Sequence, residues 1–150
     1  MACLALGVLL RRHLDRYLQL VFPGAKLDLD LTMAPGAMVR QGPEGLEAHT
    51  FDALSFGARE QLGVLTRLAY ADLVKEAGRP TLLILDDALV HNDSDHIDRM
   101  KRAIFDAAAR HQVLLFICHP EVWRDMGVAI RRLEALKDEG PVRATAAESA

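Results

Sequence analysis

Two short apolar runs limit what this chain can fold into: Leu82-Leu83-Ile84-Leu85 and Val113-Leu114-Leu115-Phe116-Ile117. Neither alternates with polar residues, so each reads as an interior parallel strand with both faces covered. Between them Ile97, Met100, Ile104 and Ala108 recur at helical spacing, with Asp93 or Ser94 available as the cap. Strand, amphipathic helix and strand in this order make a βαβ crossover, which is right-handed almost without exception. The first run ends in Asp86-Asp87, and the second leads into Cys118-His119.

Upstream, the periodicity changes twice. Leu6, Leu10, Leu14, Tyr17 and Val21 mark an amphipathic helix that stops at Pro23-Gly24. From Lys26 to Met33 apolar and polar residues alternate, which predicts a half-buried strand. Turn residues at Ala34-Pro35-Gly36 and Gly42-Pro43-Glu44-Gly45 then predict an antiparallel meander, with further strands over 37–41 and 46–50. From Ser55 the helical period returns, with Leu62, Leu65, Ala69 and Leu73 on one face and Gly78-Arg79-Pro80 as the stop. Beyond the second run, 121–126 reads as a short helix and 128–133 as a final edge strand.

The 150 residues suffice for a buried core, and 51% hydrophobic content makes the chain globular. Its 18 basic and 21 acidic residues give a net charge of −3, so no global electrostatic pull toward nucleic acid is expected. Cys3 and Cys118 lie in apolar segments and read as buried small hydrophobes, which fits a reducing cytoplasm. The apolar start lacks the flanks of a signal peptide and is too short to span a bilayer, so no membrane association is expected.

Ligand crevices in open parallel sheets lie beyond the carboxyl ends of the strands, where Asp86, Asp87 and His119 fall. A carboxylate there can hold Mg²⁺ together with phosphate oxygens, and a neighbouring acid can orient an attacking water. The same pair also suits a plain strand-end turn and helix cap, and His119 before Pro120 suits a structural role. Ser55 and Gly57 at a helix start form an anion-binding end by dipole and geometry, or an ordinary capped helix. His91-Asn92-Asp93 reads as loop polarity or a subunit contact. A metal cage from Asp86, Asp87, His91 and Asp93 is conceivable, but it lacks zinc-ligand spacing. No G-x-x-x-x-G-K-[ST] phosphate loop occurs in these residues.

Leu54-Ser55-Phe56-Gly57-Ala58-Arg59-Glu60-Gln61, Leu82–Asp87, Val90–Asp93 and His119 resemble, in order and spacing, the signature, Walker B, D-loop and switch-histidine elements of ABC-type ATPase heads. The resemblance is to the SMC-like, double-strand-break-repair branch, spans residues 50 to 133, and lacks the Walker A lobe. It implies an α/β fold forming the C-terminal half of a P-loop ABC-type ATPase head: an N-terminal helix and antiparallel meander, then a parallel βαβ core. It implies three regions: a helix over 1–24 resembling the end of a coiled-coil arm, the lobe over 25–135, and a flexible tail over 136–150. By the same resemblance Ser55, Gly57, Glu60 and Gln61 contact ATP, Asp86 serves Mg²⁺, and Asp87 and His119 are catalytic, with Asp93 at a dimer seam. Partners would be a Walker A-bearing lobe or full-length head, with DNA reached through the complex. Position 87 is Asp where most of the family has Glu. Other readings are a non-catalytic interaction module of a larger ATPase and a stand-alone Mg²⁺-dependent phosphotransfer domain. Half a sheet should also leave an uncovered apolar face near Leu82–Leu85 or the first helix.

Overall fold

The computed structural model describes residues 2–30, 32, 34–89 and 93–138. The chain divides into two compact units, residues 1–118 and 119–150. In the first unit, helix α1 spans Ala2–Val21. Its stripe of Leu10, Leu14, Tyr17, Leu18 and Val21 is buried and packs against two later helices, α2 (Phe56–Glu76) and α3 (Ser94–Ala108). Gln19 closes the helix by accepting from Gly24 N–H at 2.8 Å and donating to the Ala25 carbonyl at 2.7 Å. Gly24, at φ +78°, supplies the left-handed turn that lets the side chain reach back.

Strands β1 (Lys26–Leu29), β2 (Pro35–Gly42) and β3 (Gly45–His49) form the expected antiparallel meander. Leu27 opposite Met38 and Met38 opposite His49 set the register, and Leu27 and Met38 are buried. The expected first strand is shortened. The Asp30 carboxylate accepts from the backbone N–H of Thr32 and Ala34 at 2.7 and 2.9 Å, so the chain turns where alternation alone predicted continuation. Leu31 and Met33 lie outside the described residues.

α2 is buried over much of its circumference, because Leu62, Val64, Leu65, Leu68, Ala69 and Ala71 are all covered. α1, α3 and strand β4 (Leu82–Asp86) surround it. β4 pairs in parallel with β5 (Gln112–Phe116), Leu82 opposite Gln112 and Asp86 opposite Phe116, with α3 between them in sequence. The buried stripe of α3 is Met100, Ala103, Ile104 and Ala107. Ala108, expected in that stripe, is exposed.

The expectation of two covered sheet faces fails. Leu83 and Leu85 are buried, whereas Leu82, Ile84, Leu114 and Phe116 on the opposite face are 48%, 56%, 40% and 44% exposed. A two-stranded sheet with helices on one side leaves this apolar face open, as the half-sheet argument anticipated. Cys118 is exposed rather than buried, because it lies past the end of β5; the Cys3 side chain is outside the described residues.

In the second unit a 3₁₀ segment covers Pro120–Met126, and helix α4 covers Leu133–Asp138. The expected strand over 128–133 is absent. Val128 and Ile130 are exposed with no neighbouring strand to pair with among the described residues, and an unpaired strand has no ladder to stabilise it.

Candidate functional site at the amino end of the second helix

Ser55 is the N-cap of α2, and its hydroxyl accepts from the Ala58 N–H at 3.2 Å. Such a cap contributes about 1 kcal/mol and leaves the remaining N–H groups of the first turn pointing outward. Ser55, Gly57 and Gln61 line a hollow of about 380 Å³, together with Asp93 from the start of α3. The signature-like stretch and the D-loop-like aspartate, 38 positions apart in sequence (93 − 55), therefore share one concave surface. Glu60 does not line it.

Asp93 caps α3. Its Oδ1 accepts from His96 N–H at 2.9 Å and lies 2.8 Å from His96 Nδ1. The backbone N–H bond first, and the imidazole second, hold this carboxyl below its usual range. Arg40 of β2, Phe22 and His96 complete the wall.

Asp86 ends β4 and is exposed. Asp87 follows with φ +43°, and its N–H donates to the Phe116 carbonyl at 2.9 Å, extending the parallel ladder by one step. Its Oδ1 accepts from Cys118 N–H at 3.4 Å, which ties the acid to the end of β5. The same carboxylate, through its hydrogen bond with the thiol, pushes the Cys118 thiol up and makes it a poor nucleophile. Leu89 adopts φ +78°, a conformation that costs a bulky L-residue of order 1–3 kcal/mol. Its side chain is nonetheless buried, so packing holds a strained loop directly after the acid pair.

His119 belongs to the second unit, where its Nδ1 lies 3.2 Å from Glu121 Oε1. Among the described residues no three His, Cys, Asp or Glu side chains gather closely enough to hold a metal ion. His91, one member of the conceivable cage, is outside them.

A larger cavity lies elsewhere. A groove of about 660 Å³ runs past Lys75, Arg79, Thr81 and Gln112 near the carboxyl end of α2. Arg110 and His111 also line it and belong to a polar hub that the sequence did not reveal. The Asp72 carboxylate accepts from Tyr17 OH at 2.8 Å, Arg110 Nε at 3.0 Å and His111 Nε2 at 2.7 Å. Since an ionised carboxylate only accepts, His111 carries its proton on Nε2. Arg110 Nη2 also donates to Tyr17 OH at 2.7 Å and to Asp106 at 3.0 Å. Burial alone would raise the Asp72 carboxyl, but the bonds from Arg110, His111 and Tyr17 outweigh it and hold it at about 2. Burial, with Asp72 adding to it, pushes the Tyr17 phenol up.

No protein-family model matches the chain. Uncharacterised proteins of Mycobacterium tuberculosis and Mycobacterium bovis are 42% identical to it over 71 residues, which is 47% of this chain and 8% of each relative. Among solved structures, the SMC head domain from Thermotoga maritima matches with a TM-score of 0.58 at 18% identity, over 79% of this chain and 40% of that one. A chain solved in work on ATP-driven dimerization and DNA-stimulated activation of SMC ATPases matches with a TM-score of 0.59 at 14% identity, over 92% and 95% of the two chains. The fold is thus that of part of an SMC ATPase head. The chain spans under a tenth of the curated relatives and 40% of the Thermotoga head. Among the described residues no helix is long and apolar enough to cross a membrane.

Proposed function

We propose that the chain is the carboxyl-terminal lobe of an SMC-like ATPase head, acting on ATP and Mg²⁺ whose phosphates are cradled by a phosphate loop outside these 150 residues. The observation that carries this reading is the shared hollow of Ser55, Gly57, Gln61 and Asp93 at the amino end of α2. The Ser55 hydroxyl and the N–H groups around Gly57 contact the terminal phosphate of a nucleotide held by an opposing head, with Gln61 lining the same hollow. Asp86 serves Mg²⁺, which neutralises phosphate charge when bound. Asp87 orients the attacking water, fixed in direction by its bond from Cys118 N–H. His119 contacts the terminal phosphate, and Asp93 lies at the seam between two heads.

Two further observations support the assembly. The exposed apolar face of Leu82, Ile84, Leu114 and Phe116 is a surface of the kind another lobe would cover. The solved relative described as dimerising under ATP and activated by DNA has nearly this chain's extent. We read α1 as the end of a coiled-coil arm, the site of action as cytoplasmic, and the role as DNA repair, chromosome maintenance or defence through the complex.

The test is reconstitution with a polypeptide carrying a phosphate loop. Asp87→Asn should reduce ATP turnover about a hundredfold or more, because even a misplacement near 1 Å costs that much. Unchanged turnover would convert the reading into a non-catalytic interaction module.

A further inference from the structure

Arg40 has no counterpart among the motif residues, yet it lines the same hollow as Ser55 and Gly57. It is half-buried, on β2, and has no hydrogen-bond or ion-pair partner among the described residues. Four other arginines of the unit pack against carboxylates: Arg11 with Asp28, Arg12 with Glu76, Arg16 with Asp106 and Arg110 with Asp72. The acid in its own hollow does not neutralise it. Asp93 is engaged by the backbone N–H and imidazole of His96 and makes no ion pair with Arg40. A half-buried arginine in a concave wall, with no partner among the described residues, can grip a tetrahedral oxyanion with two parallel N–H bonds.

We propose that Arg40 is a phosphate-binding residue of this hollow, gripping the same terminal phosphate that Ser55 and Gly57 approach. This deepens the ATPase reading and rests on it for the identity of the ligand, but the binding itself belongs to this chain. The phosphate would be held from two sides: by the amino end of α2 on one, and by the β2 guanidinium on the other. Lysine at this position would keep the charge and lose the fork.

The test uses the whole chain and inorganic tripolyphosphate as the probe, followed by amide and arginine Nε–H nuclear magnetic resonance. Millimolar tripolyphosphate should shift the Arg40 Nε–H together with the Gly57 and Ala58 amides along one binding curve. Arg40→Met should weaken that curve about tenfold or more, and Arg40→Lys by less, since lysine keeps the charge and loses only the fork. Unchanged dispersion of the remaining amides certifies that each variant is folded. Shifts at Gly57 that persist with equal affinity in Arg40→Met overturn the role of Arg40 and leave the hollow as a phosphate site. No shift at tens of millimolar probe overturns the inference outright. Failure of ATP turnover in a reconstituted head, with the tripolyphosphate curve intact, refutes the ATPase reading alone.

Discussion

The two ends of α2 handle polar groups in opposite ways. At the carboxyl end Asp72, with its side chain only 5% exposed, is saturated by Tyr17, Arg110 and His111. At the amino end Ser55 caps the helix, but the surrounding hollow is lined by Arg40, which has no ion-pair partner among the described residues. Internal satisfaction spends the hydrogen-bonding capacity of a buried group on stability and leaves none for a ligand. Capacity left unspent in a concave surface marks the binding end. The hub also joins three segments distant in sequence, since Tyr17 lies on α1, Asp72 on α2, and Arg110 and His111 just before β5. It locks the first helix to the sheet, whereas the rim pairs Arg12–Glu76 and Arg16–Asp106 are half-exposed and contribute little.

The largest expected effect is at the saturated end. Asp72→Ala strands the Arg110 charge and two buried donors, and should lower unfolding free energy by about 3–5 kcal/mol in urea titrations. A loss below 1 kcal/mol would erase the distinction between the ends. The next effect is a pH dependence. The Asp72 carboxyl falls from its ordinary 3.8 to about 2 in the fold, so its contribution is complete above pH 4. It is lost as pH falls through about 2, for a total of about 2 kcal/mol. Acid unfolding of the wild type should show that slope, and Asp72→Asn should flatten it.

Tyr17→Phe removes one bond to Asp72 and one from Arg110 while keeping the ring, and should cost about 1–2 kcal/mol by the same titration. Ser55→Ala, at the open end, should cost only about 1 kcal/mol of stability, the usual value of an N-cap. In a reconstituted head it should reduce ATP turnover far more than that loss implies. Smallest of all is the exposed sheet face. Ile84→Thr should change the stability of the lone chain by under about 0.5 kcal/mol, because the side chain is already 56% exposed.

Elements with strong periodicity were legible before any coordinates. α1, α2, α3, the β2–β3 hairpin and the β4–β5 pair all follow from apolar spacing and turn residues that act locally. Features decided by distant partners were not. Asp30 diverted β1 by bonding its own downstream backbone, and 128–133 failed as a strand for want of a neighbour. The hub was hidden because Asp72 looks like any polar residue on a helix until Tyr17 and Arg110 converge on it. Arg40 was hidden for the same reason, since polar residues on a small meander usually face water. The signature-like turn and the acid pair were visible as motifs, and the hollow uniting Ser55 with Asp93 emerged only from the packing of α2 against α3.

The proposed ATPase role needs a phosphate cradle supplied from outside these residues, and the most direct test is steady-state ATP hydrolysis by the isolated chain with Mg²⁺. The expected result is a rate indistinguishable from buffer, rising only when a phosphate-loop lobe is added. Turnover by the chain alone at about 1 s⁻¹ or faster, within the ordinary enzymic range, would contradict it.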